Sequence, residues 1–249
     1  MKRMLLTISY DGTAYHGWQV QPNGITVQQV MQDSLEKLLG VRPKLTGCSR
    51  TDAGVHARQF CCHLDCEDNI PESAFLRGLN SILPDDIAVK GCRQVKNDFH
   101  ARYDAKGKSY IYRMYTGISD PFLSRYTLRL DATPDITLAN EFCSTVVGKH
   151  DFYGFSASGR TVEDTVRTVK KCEFTLKNDI YSFSITADGF LYNMVRILAG
   201  TMLDVSYKRL NTNCAIDVFN NKDRNSAGTT LPPQGLFLDR VYYDFEGEN

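Results

Sequence analysis

One aspartate, Asp52, stands between Arg50 and Gly54 in the run Cys48-Ser49-Arg50-Thr51-Asp52-Ala53-Gly54-Val55-His56-Ala57, with no metal-ligating partner close by. That setting suits a carboxylate that does chemistry itself, because Ala53-Gly54 bends the chain tightly and leaves room for a ligand to approach. Arg50 can keep the carboxylate ionised, since an opposite charge within a few ångström lowers its pKa. The same residue types also suit a plain surface turn with a structural Arg–Asp pair. A second candidate is Arg196, set between Val195 and Ile197; an arginine among apolar neighbours usually has a dedicated anionic partner. A third is the stretch from His100 to Tyr115, where Arg102, Lys106, Lys108 and Arg113 are opposed only by Asp104 and interleaved with Tyr103, Tyr110, Tyr112 and Tyr115. Basic residues alternating with aromatics can hold phosphates and stack bases. Arg160, Arg167, Lys170 and Lys171 would extend such a surface. The bland reading of the same stretch is a solvated strand face with its tyrosines in the core.

These side chains need a frame, and hydrophobic periodicity supplies one. Arg3 to Tyr10 alternates, with Met4, Leu6, Ile8 and Tyr10 on one face, as in a half-buried strand. After a polar loop from Asp11 to Gly24, Thr26-Val27-Gln28-Gln29 reads as a capping box. The helix it opens has Val27, Val30, Met31, Leu35 and Leu38 as its apolar face and stops at Gly40. A strand runs from the Asp52 turn through Gln59 to Leu64, a helix from Pro71 to Leu83, and a strand from Ile87 to Val95. The pattern then recurs: a strand from Ser109 to Met114, a helix from Thr137 to Val147, strands Val166 to Leu176 and Ile180 to Ala187, and a helix from about Leu191 to Ser206. Asn220 to Gln234 reads as a polar loop and Leu236 to Phe245 as a closing strand. Strands in runs predict an α+β fold: two similar α/β halves with a largely antiparallel central sheet flanked by helices. The first half, 1–105, carries the Asp52 loop; the second, 106–249, carries Tyr110 and the Arg196 helix.

Composition narrows the classes. Lys+Arg and Asp+Glu both number 29, so attraction to a polyanion must come from local charge, not net charge. The apolar run after Lys2-Arg3 is too short for a signal peptide, and Phe190 to Val205 is broken by Asn193, Arg196, Thr201 and Asp204, so no ordinary membrane span is expected. The expectation is a cytoplasmic protein whose eight scattered cysteines are reduced. Cys61-Cys62-His63 with Cys66 invites a zinc reading, but there is no C-x2-C pair or second ligand cluster, and neighbours on a strand point to opposite faces. Small strand hydrophobes are the better description.

Taken in order, several motifs resemble the tRNA pseudouridine synthase A (TruA) family nearly end to end. Ile8-Ser9-Tyr10-Asp11-Gly12 with Tyr15-His16-Gly17-Trp18-Gln19 is similar to its opening strand and loop, and Gly47 to Ala57 to its catalytic loop. Leu79-Asn80 with Leu83-Pro84-Asp85-Asp86-Ile87, Phe99-His100-Ala101-Arg102, Lys108-Ser109-Tyr110-Ile111-Tyr112 and Gly148-Lys149-His150-Asp151-Phe152 follow. Gly189-Phe190-Leu191-Tyr192-Asn193-Met194-Val195-Arg196 and Pro232-Pro233-Gln234-Gly235-Leu236 complete the set. Two departures stand out: Gln59-Phe60 replaces the usual Gly-Gln after the catalytic loop, and cysteines occupy strand positions where aliphatic residues are usual.

The resemblance implies an isomerase that converts uridine to pseudouridine without cofactor or metal in an active-site cleft between the halves, acting as a homodimer on the anticodon stem–loop of tRNA at positions 38–40. It implies Asp52 as the essential carboxylate, Arg196 as its partner, and Tyr110 as the ring that stacks on the target uracil, with Arg50 supporting the space the base vacates. Whether Asp52 attacks C1′, attacks C6 or promotes elimination to a glycal stays open. Two other classes compete: a non-catalytic RNA-binding module, which would not need Asp52 and Arg196 together, and a metal-dependent nucleic-acid hydrolase, which would need an acidic ligand cluster.

Overall fold

Met4, Leu5, Leu6, Ile8 and Tyr10 are all buried in the first strand, β1 (Lys2–Tyr10), with Thr7 and Ser9 part-exposed between them. The computed structural model describes residues 1–159 and 162–245. The chain forms two compact units, Met1–Lys106 together with the last strand, and Gly107–Leu236. The α+β expectation holds, with ten strands paired mostly antiparallel among the described residues.

In the first unit, α1 (Val27–Leu39) starts where the capping signal places it. The Thr26 hydroxyl accepts the Gln29 amide at 3.3 Å, and the Gly40 amide closes the helix on the Glu36 carbonyl. Val27, Met31, Ser34 and Leu35 are the buried positions. Each of the apolar three contributes on the order of 1.5–3 kcal/mol. β2 (Thr46–Gly47) pairs with β3 (His56–Cys66), which pairs antiparallel along its length with β1. β4 (Ile87–Val95) covers the other edge of β1. The segment expected as a regular helix over Pro71 to Leu83 is shorter, and its centre, Ala74–Gly78, is wound as a π-helix. Its last residue, Asn80, ties the segment to β4, its side-chain amide bonding both the N–H and the carbonyl of Val89. Leu236–Tyr242 returns to add a parallel neighbour to β3, with Phe237 opposite His56.

In the second unit, β5 (Gly107–Thr116) pairs antiparallel with β9 (Ile180–Ala187), which pairs with β8 (Val166–Lys177). The short α2 (Pro121–Ser124), β6 (Leu128–Leu130) and β7 (Gly148–Asp151) have too few residues to show a period. Helix α3 (Ile136–Val146) is held to β8 by Asn140, which donates to the Phe174 carbonyl at 2.8 Å and accepts the Phe174 amide at 2.9 Å. Helix α4 (Met194–Ser206) is buried on most sides, and it begins three residues later than its apolar pattern suggests because Asn193 turns through the left-handed region just before it. Helix α5 (Cys214–Asn221) intrudes on the expected polar loop, its buried face being only Cys214, Ala215 and Val218. The last strand, β10 (Leu236–Tyr242), is shorter than the expected run to Phe245.

Candidate active site

Asp52 lies in the loop between β2 and β3, and that loop is clasped by residues 10–18. The hydroxyls of Tyr10 and Thr51 share a hydrogen bond of 2.8 Å, with Tyr10 4% and Thr51 7% exposed. The Trp18 amide donates to the Thr51 carbonyl and the Gly54 amide to the Tyr15 carbonyl, each at 3.2 Å. Within the loop the Val55 amide donates to the Asp52 carbonyl at 3.1 Å, closing a turn that needs Gly54 at φ 76°. Gly17, at φ 80°, passes so near that a Cβ there would meet the Thr51 carbonyl oxygen at 2.4 Å. Asp52 itself is half-buried, on a backbone fixed from both sides of its own residue. Arg50 is exposed on the same loop.

The clasp is anchored in turn. Trp18 stacks on Phe60 at 4.1 Å, and Phe60 is fully buried. His56 Nδ1 lies 3.0 Å from both the Gly12 amide and a carboxylate oxygen of Asp11, and the His56 ring stacks on Phe237 at 4.7 Å. Tyr15 donates its hydroxyl to Asp86 at 2.5 Å; burial and this carboxylate push its pKa well above the usual phenol range. Cys61 and Cys62 are buried in β3, and loss of hydration pushes the Cys61 thiol up to about 11. They are inert packing residues. Among the described residues no group of three or more His, Cys, Asp or Glu side chains is placed to hold a metal ion, and no helix is long and apolar enough to cross a membrane.

The second unit carries the other two candidates. Tyr110 sits on β5 opposite Ile185, 6% exposed, with the Phe190 ring edge-on at 5.0 Å. Two residues on, Tyr112 donates its hydroxyl to the Pro232 carbonyl at 2.6 Å. Arg196 is half-buried in the first turn of α4. Its Nε donates to the Leu231 carbonyl at 2.6 Å and its Nη1 to Asn193 Oδ1 at 2.8 Å. The seven residues from Phe190 to Arg196 thus touch the tyrosine at one end and carry the guanidinium at the other. The basic stretch is less uniform than its sequence suggests: Arg102, Lys106, Lys170 and Lys171 are exposed, but Lys108 is 9% exposed and lies within β5. Lys171 pairs with Glu173 at 2.7 Å and Lys106 with Asp244 at 3.5 Å, while Arg160 lies outside the described residues.

Sequence reasoning missed Tyr10, Thr51, Asn193 and Leu231. Asn193 left the clearest trace, a small amide at the mouth of an apolar helix, three residues before its arginine. Leu231 acts through its main chain, for which a side-chain pattern gives no signal.

The model of the family described as tRNA pseudouridine synthase matches residues 6–104 and 142–244. Relatives named tRNA pseudouridine synthase A include one from Caldicellulosiruptor saccharolyticus, 43% identical over 98% of this chain and 100% of its own length. Others come from Ruminiclostridium cellulolyticum, at 42%, and Clostridium kluyveri, at 41%, with the same coverage of both chains.

Proposed function

The chain belongs to the tRNA pseudouridine synthase A family, and from that premise we propose that it isomerises uridine to pseudouridine in the anticodon stem–loop of tRNA, using Asp52 as the essential carboxylate. The observation that carries the reading is the Asp52 loop: a half-buried carboxylate on a backbone held by the Tyr10–Thr51 hydroxyl pair and by the amides of Trp18 and Gly54. Side chains aimed by rigid surroundings are what a reaction between closely approached atoms requires.

The reaction breaks the N1–C1′ bond, turns the uracil and joins C1′ to C5, after which C5 gives up its hydrogen as a proton and N1 gains one. Atoms and electrons balance within the nucleotide and water, so no redox equivalent or phosphate donor enters. Asp52 acts on C1′ or C6 of the nucleotide, or draws off a proton to give a glycal. Arg196 pairs with Asp52, compensating its charge and orienting it in a water-poor site. A base in a stem must leave the stack, at a cost of a few kcal/mol, before the carboxylate can reach it. Tyr110 recovers part of that by stacking on the uracil, and Arg50 supports the vacated space. Family membership also supports a homodimer working in the cytoplasm on positions 38–40 of its substrate, with exposed Arg102, Lys106 and Lys170 among the phosphate contacts.

The test is release of tritium from tRNA carrying 5-tritiated uridine, by purified protein without additions. Wild-type protein should release label, and folded Asp52→Asn should bind tRNA but release none. Substantial release by folded Asp52→Asn removes the carboxylate from its role, and metal-dependent strand cleavage in place of release would make the protein a hydrolase.

A further inference from the structure

Arg196 is restrained at both ends of its guanidinium by atoms that carry no net charge. The Leu231 carbonyl takes Nε at 2.6 Å and the Asn193 side-chain carbonyl takes Nη1 at 2.8 Å. Leu231 is a fixed point, because its amide donates back to the Arg196 carbonyl at 3.3 Å and the next carbonyl, of Pro232, is held by the Tyr112 hydroxyl at 2.6 Å. The loop before it is tied by Arg224, which donates to the Gly228 carbonyl at 2.9 Å and to Thr230 Oγ1 at 3.1 Å.

Asn193 is the other fixed point, and its backbone is unusual. It stands at φ 58°, ψ 6°, in the left-handed region, immediately before α4, and its carbonyl accepts the Ile197 amide at 3.0 Å. Asparagine tolerates that region better than most residues, but glycine tolerates it best. The side chain makes no capping bond to the helix amides and is turned instead to the arginine one turn on. A residue chosen only to admit the turn would be served by glycine; a residue chosen to cap the helix would bond the helix amides. Asn193 does something else.

We propose that Asn193 is a positioning residue for Arg196, a neutral acceptor that aims the guanidinium without drawing on its charge. This rests on the reading above, in which Arg196 serves the Asp52 carboxylate. A carboxylate at position 193 would make a stronger, charge-assisted bond to the same nitrogen and would compete with Asp52 for the arginine. The acceptor therefore has to be polar and uncharged.

Two substitutions, each assayed across a range of tRNA concentrations up to saturation, test this. Asn193→Gly keeps the backbone geometry and deletes the acceptor; turnover should fall on the order of 10- to 100-fold, the loss expected when a reacting group is left about an ångström astray, with KM within about twofold of wild type. Asn193→Asp keeps an acceptor in place and adds a charge; turnover should fall at least as far, while the melting temperature stays level or rises. Wild-type turnover in either variant overturns the proposal, as does a change confined to KM. If Asn193→Gly does not fold, Asn193→Asp decides alone, because a merely structural acceptor would keep full activity as aspartate. Failure of wild-type protein to release tritium would instead sink the functional reading and this assignment with it, so the two failures are distinguishable.

Discussion

The hydroxyl of Tyr10, the last residue of β1, is bonded at 2.8 Å to the hydroxyl of Thr51, the residue next to Asp52. A strand that forms part of the first unit's core is thus bonded to the residue beside the proposed reacting carboxylate. Tyr10→Phe removes one hydroxyl and leaves the other buried with a partner lost, costing on the order of 1–3 kcal/mol. The melting temperature should fall by several degrees. Tritium release should drop at a temperature where the variant is still fully folded, and wild-type release there would limit the bond to a structural role.

Tyr110 is held edge-on by Phe190 at 5.0 Å, so its ring plane is set before any substrate arrives. Tyr110→Phe should keep tRNA affinity while slowing turnover, and Tyr110→Ala should lose both, since stacking on a base is worth on the order of 1–3 kcal/mol. Equal behaviour of the two variants in binding and turnover would separate the ring from the uracil.

His63 gives the fold a sensitivity to mild acid. Burial, with the positive charges of Arg3 and His100 adding to it against Asp65, lowers its pKa to about 4, and its Nδ1 accepts the Ala101 amide at 3.1 Å. The unfolded chain takes up this proton near pH 6.5 and the folded one does not, so stability is lost as pH falls from about 6.5 towards 4. Urea melts at pH 7 and pH 5 should differ by on the order of 1 kcal/mol from this group, after discounting for partial solvent screening. His63→Asn should flatten that difference, and an unchanged pH slope would show that the imidazole titrates normally.

Affinity for tRNA should fall steeply with salt although Lys+Arg and Asp+Glu are balanced at 29 each, because each phosphate contact releases counterions. Arg102 and Lys170 are the informative positions, being exposed, whereas Lys108 is buried in β5. Neutralising both should flatten the salt slope by roughly one unit per lost contact and leave turnover at saturating tRNA little changed. A slope that does not move would place the RNA on another face.

Helix α1 was legible because its start is written locally: Thr26 and Gln29 are three residues apart and do bond. The Asp52 loop was legible as a tight turn for a similar reason, its shape being set by Ala53-Gly54. What holds that loop was not, because Tyr10 and Thr51 are 41 residues apart and meet only once β1 and β3 have paired. Lys108 was misjudged because alternation along β5 fails: Gly107 to Tyr110 are buried without a break. Helix α5 escaped notice because two turns with three buried residues show almost no periodicity.

The parallel pairing of β10 with β3, Phe237 beside His56, also sets an order of events during synthesis. The strand that follows the Asp52 loop leaves the ribosome early, but its edge partner emerges only after the whole of Gly107–Leu236. Phe237 follows the end of β3 at Cys66 by about 170 residues, so at about 5–20 residues per second the delay is roughly 9–34 s, during which the His56–Ala57 end of the β3 edge has open amides and carbonyls. The second unit is continuous in sequence and can close first. The unit bearing the proposed reacting carboxylate is therefore the last to be finished, and a newborn chain holds its Asp52 loop beside an incomplete sheet until Phe237 arrives.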